Sequence, residues 1–221
     1  VDDAAGSEYL YLAVEQDNGL DEVVQYKYTF IKGQPVLQAP VTVWPSEGSA
    51  EKKIMQMRVH NGNLYIATQD GQVLKVDKNV LPSGARTDGL PLFSSGGVEE
   101  YKDQTITGLA VVDNMYWSTS HEIHTGPRDG SMSGQSSKIF DSRLLEKLMG
   151  SGEMPLIRDI EVSKDGVYIY IATHTGGVSQ TSSIFWFNAA HPEDTPVRLM
   201  QDWAEDNLTL SLNDETLYVA S

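Results

Sequence analysis

Residues 157–173 of this 221-residue chain, Ile-Arg-Asp-Ile-Glu-Val-Ser-Lys-Asp-Gly-Val-Tyr-Ile-Tyr-Ile-Ala-Thr, contain the pattern that decides the fold. Apolar and polar residues alternate on both sides of Asp165-Gly166, and several of the flanking residues are β-branched or aromatic. Alternation with a period of two is typical of a strand with one buried face, and Asp-Gly is typical of tight hairpin turns because glycine readily adopts a positive φ angle. The stretch therefore predicts a β-hairpin that ends in Tyr170-Ile-Ala-Thr173.

The closing motif of this hairpin recurs along the chain. Each copy begins with tyrosine, and the third position is always a small alanine or serine: Tyr11–Val14, Tyr65–Thr68, Tyr116–Thr119, Tyr170–Thr173 and Tyr218–Ser221. The five tyrosines are 54, 51, 54 and 48 residues apart. A repeat of about 50 residues is typical of propellers and other repeat architectures.

The interior of each repeat indicates which architecture is formed. Turn signals precede four of the five motifs: Asn61-Gly62, Asp113-Asn114, Asp165-Gly166 and Asn213-Asp214. Third strands are predicted after three of the motifs, over 23–30, 73–76 and 183–187, and weaker fourth strands over 36–43 and 196–200. The sequence thus predicts an all-β protein, a β-propeller of four-stranded antiparallel blades of about 50 residues each.

Two segments depart from this strand pattern. Residues 142–149 predict a short helix with Leu144, Leu145 and Leu148 on one face and Gly150 as its C-terminal cap. The Gly- and Ser-rich stretch 125–138 predicts a mobile loop.

The repeats predict a single propeller region over 1–221. It consists of a partial blade at 9–50, blades at about 51–103, 104–155 and 156–204, and a partial blade at 205–221. With strands A to D counted from the centre, the first segment supplies B, C and D, and the last supplies A and B. The two ends duplicate a B strand, so we expect an incomplete ring with both termini inside blades, unless 9–14 is an outer strand.

Two stretches resemble known propeller blades. Residues 162–173, Val-Ser-Lys-Asp-Gly-Val-Tyr-Ile-Tyr-Ile-Ala-Thr, are similar to the V-S-x-D-G-x-x-x-Y-V-A signature of YVTN, NHL and gluconolactonase-like propellers, and residues 63–76 resemble a quinoprotein-type blade. The resemblance implies the propeller fold and points to no specific family. Such blades occur in enzymes, receptors and scaffolds, so it does not select a function.

The composition narrows the classes of partner. There are 31 Asp and Glu residues against 16 Lys and Arg, a formal net charge of -15. Such a charge opposes binding to nucleic acid or to an anionic membrane surface, and no apolar run is long enough to predict membrane insertion. The chain has no cysteine, which excludes disulfides and thiolate sites. An extracytoplasmic, secreted or cell-surface location fits this composition, and a cytoplasmic one is equally compatible with it.

The predicted blades place the B-to-C and D-to-A loops on one face of the propeller. Counting four residues past the motif tyrosines gives Glu15, Gln69, Ser120 and His174 as the first residues of these loops. With the neighbours of Ser120 and the start of one A strand, the residues expected on this binding face are Glu15, Gln69, His121, Glu122, His124, His174 and Arg158. The favoured hypothesis is a non-enzymatic binding or scaffold module, without a cofactor, within a larger surface or secreted protein. Its loop face would contact a protein or glycan partner, or further blades of the same propeller.

The alternative hypothesis is a metal-dependent hydrolase or lactonase. The gluconolactonase resemblance implies a divalent ion in the central channel with acidic and Asn ligands, and Glu15, Asp159 and Asn207 are the nearest positions by loop count. Oxygen ligands of this kind suit calcium, and added imidazoles suit zinc. Gly-x-Ser-x-Gly, Walker and EF-hand motifs are absent from the sequence, and whether the chain is an enzyme stays open.

Overall fold

The computed structural model describes residues 9–32, 34–49, 52–77, 85–94, 105–129, 136–149, 152, 154–175, 181–203, 208–213 and 216–220. Over these ranges the chain forms antiparallel β-sheets and one short helix. It divides into two compact units, Val1–Asp103 and Gln104–Ser221. None of the helices in this part of the chain has the length and apolar character needed to span a membrane.

The first unit contains two sheets. The first sheet is formed by β1 (Tyr9–Glu15), β2 (Asp21–Ile31), β3 (Gln34–Leu37) and β4 (Val41–Trp44). Strand β1 pairs with one edge of β2, while β4 pairs with the start and β3 with the end of the other edge. The second sheet has its strands in chain order: β5 (Ile54–His60), β6 (Asn63–Thr68), β7 (Gln72–Val76) and β8 (Leu90–Ser94).

One face of each of these sheets contributes to a common core. Its buried members come from β2, β4, β6 and β7: Val23, Val43, Trp44, Leu64, Ile66, Leu74 and Val76. Alternation along β6 and β7 directs Leu64, Ile66, Leu74 and Val76 to the same side, whereas Val43 and Trp44 are consecutive in β4 and lie where its register with β2 shifts. The two sheets are also joined by a backbone bridge between Asp21 and Lys52.

The second unit contains three sheets. The first is β9 (Gly108–Val111), β10 (Asn114–Ser118), β11 (Glu122–Pro127) and β12 (Ser137–Asp141), followed by α1 (Arg143–Met149). The next is β13 (Leu156–Val162), β14 (Tyr168–Thr175), β15 (Thr181–Asn188) and β16 (Val197–Trp203). The third, over the described residues, has two strands, β17 (Thr209–Asn213) and β18 (Thr216–Ala220).

The first strands of these three sheets lie side by side. Strand β13 contacts both β9 and β17. Gly108 in β9 lies so close to β13 that a Cβ atom on it would be 2.6 Å from the Ile160 nitrogen. Apolar side chains from neighbouring sheets share buried clusters: one includes Ile123, Phe140 and Ile160, and another includes Ile184 and Leu210. Sheets stacked face to face with adjacent first strands are the arrangement expected of propeller blades.

The four predicted hairpins are confirmed. β5 pairs with β6, β9 with β10, β13 with β14, and β17 with β18. Positive φ angles occur in two of the predicted turns, at Asn61 and Gly62 in one and at Gly166 in the other. The turn chemistry in the sequence therefore located these strand ends correctly.

The two segments outside the strand pattern differ from their predictions. Helix α1 forms, but Leu144 and Leu148 are exposed, and the side that packs on the core carries Leu145 and Met149. Gly150 lies outside the described residues. The loop predicted over 125–138 is wrong at both ends, because Thr125 pairs with Ser137 across β11 and β12. Backbone pairing there overrides the weak strand propensity of a Gly- and Ser-rich sequence.

Candidate functional site

Strand ends in the first unit bring Glu15 and Gln69 to the same end of the unit. Lys53, just before β5, connects them: its ammonium group forms an ion pair with Glu15, and its carbonyl oxygen accepts a 2.8 Å hydrogen bond from the Gln69 amide. The hydrogen bond to Glu15 raises the pKa of Lys53 most, and Asp21, whose Oδ1 is 3.5 Å from Nζ, adds to the effect. Glu15 is therefore paired, whereas the Gln69 side chain is exposed.

A second charged group lies at this end. The Nζ atom of Lys52 is 2.8 Å from Asp70 Oδ2 and 2.7 Å from Gln72 Oε1. Burial by itself would raise the pKa of Asp70, but the hydrogen bonds from Lys52 and the Thr68 hydroxyl outweigh it, and the pKa is lowered. This end of the unit thus presents carboxylates whose charges are balanced by neighbouring lysines.

In the second unit, backbone contacts gather His121, Arg158 and His174 at one end. The carbonyl oxygen of Ser120, in the β10–β11 turn, accepts a 2.7 Å hydrogen bond from the Ile157 amide at the start of β13. Leu156, one residue earlier, is the cross-strand partner of His174. His121 is fixed in that turn, since its carbonyl oxygen accepts a 2.8 Å bond from the Ser142 amide.

Arg158 occupies a distinctive position at this end. It is the extra residue of a β-bulge, since the register with β14 shifts between Ile157 and Asp159. The side chain is half-buried, and its Nε atom makes no hydrogen bond within the described part of the chain. A bulge redirects a side chain from the regular alternation of its strand, and such bulges recur next to functional sites.

Glu122 and His124 do not lie in a loop, as the sequence analysis expected, but in strand β11. The β10–β11 turn is short because the Thr119 amide already bonds the Glu122 carbonyl oxygen, at 2.9 Å. Both side chains are buried on one face of the strand, with Nε2 of His124 3.2 Å from Oε2 of Glu122. They form a buried cluster and are not available as loop contacts.

This cluster extends to two neighbouring strands. Nζ of Lys138 is 2.8 Å from Oε1 of Glu122, and the imidazole of His124 stacks on Trp117 with ring centroids 5.6 Å apart. Burial lowers the pKa of His124 most, and Lys138 lowers it further, while Glu122 acts in the opposite direction. The imidazole is therefore kept neutral at physiological pH.

His174 is likewise inside a strand. Strand β14 continues to Thr175, so His174 is paired in the sheet, buried, and 3.5 Å through Nδ1 from the Ser182 hydroxyl. The tyrosine motif does not predict this extension, because the motif ends at Thr173 whereas the strand ends at Thr175. Of the predicted face, Glu15, Gln69, His121 and Arg158 keep side chains that are exposed or half-buried.

The residues of the alternative metal site have other contacts. Asp159 is 1% exposed, and its two carboxylate oxygens accept hydrogen bonds from the backbone amides of Ile160, at 2.9 Å, and Leu210, at 2.8 Å. Glu15 is paired with Lys53, and Asn207 lies outside the described residues. Over the part of the chain that the structure describes, no group of three or more His, Asp or Glu side chains is arranged to hold a metal ion.

A cleft in the first unit has no signal in the sequence. Its volume is about 300 Å³, and its walls are largely apolar, with Trp44, Pro45, Leu74 and Pro91. Asp88 closes one side: its carbonyl oxygen accepts a 3.1 Å bond from the Trp44 indole. No local motif links Trp44 to a residue 44 positions later, so only the fold reveals this contact.

The Asp88 carboxylate is also fixed. Oδ1 accepts a 2.9 Å hydrogen bond from the Ser46 amide and Oδ2 a 3.0 Å bond from the Ser49 hydroxyl. The bond from the Ser46 amide is the main reason that the pKa of Asp88 lies below its ordinary value. Asp88 therefore holds the segment 45–49 against the cleft as an anion.

Comparison with known proteins informs the fold alone. No protein-family model matches the chain, and no curated protein matches it either. Among solved structures, it is similar to a prolyl endopeptidase at 11% identity and a TM-score of 0.54, over 96% of this chain and 31% of that one. The Dos1 propeller matches at 11% identity and a TM-score of 0.41, over 84% of this chain and 46% of that one.

A further match is YCF48 bound to D1 peptide, at 10% identity and a TM-score of 0.46, over 96% of this chain and 60% of that one. The chain thus spans less than half the length of the first two structures. The fold assignment rests on the endopeptidase match and on the four-stranded antiparallel sheets, stacked in the second unit with adjacent first strands. Together they show that this chain is a β-propeller protein.

Proposed function

We propose that this chain is a non-enzymatic binding module whose loop ends contact a protein or glycan partner, within a larger extracytoplasmic protein. The observation that carries the proposal is the hydrogen bonding of the Asp159 carboxylate. Both of its oxygens are engaged by backbone amides, which gives it a structural role between β13 and β17. A carboxylate held this way is poorly placed to act as a ligand or a general base.

The loop ends of both units favour binding over catalysis. Gln69 and Glu15 are exposed in the first unit, and Arg158 and His121 are half-buried in the second. Arginine offers several donors in a fixed planar geometry, which suits carboxylate-bearing peptides and acidic sugars alike. Among the described residues no ion pair involves Arg158, so we expect its guanidinium group to be available to a partner.

A binding screen tests this proposal directly. The purified chain is applied to an immobilised glycan array and to a displayed peptide library, and the enriched ligands are then measured against variants. Arg158→Gln should weaken binding about tenfold or more, the loss expected for a charge-assisted contact. The matched control is Arg143→Gln, which removes an arginine with a 77% exposed side chain on α1 and should leave binding unchanged.

Two results would contradict the proposal. One is ligand binding that is unaffected by Arg158→Gln, His121→Ala and Gln69→Ala. The other is a stoichiometric calcium or zinc ion, measured by metal analysis and titration, that is lost in Glu15→Gln and Asp159→Asn and accompanies hydrolysis of a sugar lactone. The second result would establish the metal-dependent lactonase instead. Glu15→Gln keeps this test valid even where Asp159→Asn lowers stability.

A further inference from the structure

One face of the first sheet is apolar, and none of the described residues covers it. Its most exposed members are Leu12, Val14, Phe30 and Leu37, with 41%, 36%, 61% and 53% of their surface accessible. The register places them on the same side, since Leu12 is opposite Val24, Val14 opposite Glu22, and Leu37 opposite Tyr28. The ring of Tyr28 also contacts that of Phe30, with centroids 5.8 Å apart. We call this surface the apolar face.

The other side of the same sheet shows what such a face packs against. There Val23 and Trp44 are 0% and 1% exposed, because the sheet β5–β8 covers them. In the second unit too, the apolar sides of the sheets are covered by another sheet of the same kind. Contiguous apolar patches of several hundred Å² are uncommon on monomers and mark interaction sites. We therefore expect the apolar face to pack against the apolar side of another β-sheet.

The area of the apolar face is large enough for a small protein–protein interface. Strand β2 has 11 residues, a length of roughly 35 Å, and three strands are about 14 Å wide. Face-to-face packing of two copies would bury on the order of 1,000 Å² in total, near the lower limit for a specific protein interface.

The charges at its two ends favour a second copy as the occupant. Asp17 lies in the β1–β2 turn at one end of β2, and Lys32 lies in the β2–β3 turn at the other, both exposed. Between them, Asp21 and Glu22 lie at the start of β2, with Glu22 on the apolar face and paired with Arg86, and residues 23–31 contain no Asp or Glu. For face-to-face packing, a twofold axis that lies in the plane of the interface and perpendicular to β2 would set Lys32 of each copy near Asp17 of the other. A surface that complements itself in this way is the requirement for an isologous dimer.

We propose that the apolar face is the interface of a twofold homodimer, in which it packs against the same face of a second copy with Lys32 opposite Asp17. This interface is separate from the loop ends and does not depend on the proposed function.

The oligomeric state in solution tests the proposal. Sedimentation velocity and light scattering over a range of concentrations should show a dimer for the wild-type chain and a monomer for Phe30→Asp and for Leu12→Asp. The matched control is Leu199→Asp, which introduces the same charge at a residue of β16 that is 51% exposed. Circular dichroism of each variant establishes that a loss of association is not a loss of folding.

Charge reversal tests the twofold geometry itself. Lys32→Asp and Asp17→Lys should each raise the dimer Kd about tenfold, because like charges then face each other in two places. An equimolar mixture of the two variants should associate as tightly as the wild type, since both contacts are again between opposite charges. A monomeric wild-type chain, a dimer that survives Phe30→Asp and Leu12→Asp, or a mixture that fails to associate would overturn the proposal.

Discussion

Replacing Asp159 by asparagine tests how the last sheet is attached. Asp159 accepts hydrogen bonds from the Ile160 and Leu210 amides at 2.9 and 2.8 Å, and its side chain is shielded from solvent. In Asp159→Asn one acceptor oxygen becomes an NH₂ group, which cannot accept a bond from a backbone N–H. A buried donor without a partner costs about 1–3 kcal/mol, so we expect the free energy of unfolding to fall by that amount.

The loss should be localised. Because the Leu210 amide is in β17, hydrogen exchange should accelerate in β17 and β18 more than in β14 or β15. Urea unfolding gives the overall change in free energy, and exchange measured by mass spectrometry gives its position. Asp113→Asn is the control, since that side chain is 94% exposed. An unfolding free energy equal to that of the control, with unchanged exchange in β17, would refute the assigned role of Asp159.

Three further changes give measurable outcomes. Gly108→Ala places a Cβ 2.6 Å from the Ile160 nitrogen and should lower the unfolding free energy by about 1–3 kcal/mol in urea denaturation, whereas an unchanged value would contradict the close approach of β9 and β13. Because the pKa of His124 is lowered in the folded chain, the unfolded chain binds a proton there first as the pH falls through about 6.5. The free energy of unfolding should therefore decrease below that pH, by at most about 1.4 kcal/mol per pH unit for one proton. Unfolding measured across this pH range should show a flatter profile for His124→Gln, and identical profiles would exclude His124 as the source. Trp44→Phe removes the indole donor to the Asp88 carbonyl and should cost about 1 kcal/mol in thermal unfolding, with faster hydrogen exchange in residues 85–89 as the local signature.

The candidate site was predictable only in part, and particular residues show why. The loop count for His121 and the predicted start of an A strand for Arg158 put these two residues at one end of the second unit, where the structure also has them, because strand ends follow from turn positions. The same count placed Glu122, His124 and His174 in loops, whereas they are buried in strands. How far a strand extends past its motif depends on its cross-strand partners, such as the pairing of His174 with Ser182, and these are set by a neighbouring strand.

The sequence by itself determined the repeated antiparallel hairpins of this protein. Alternating apolar residues and turn dipeptides act over a few neighbouring positions, so the chain carries this information locally. The tertiary structure alone decided which polar groups are buried together and which surfaces stay open. Asp159 reaches the Leu210 amide 51 residues away, and the apolar face exists because nothing in the chain covers that side of the first sheet among the residues described. Such contacts arise only when separate sheets are packed, since burial and hydrogen bonding between distant residues depend on their positions in space.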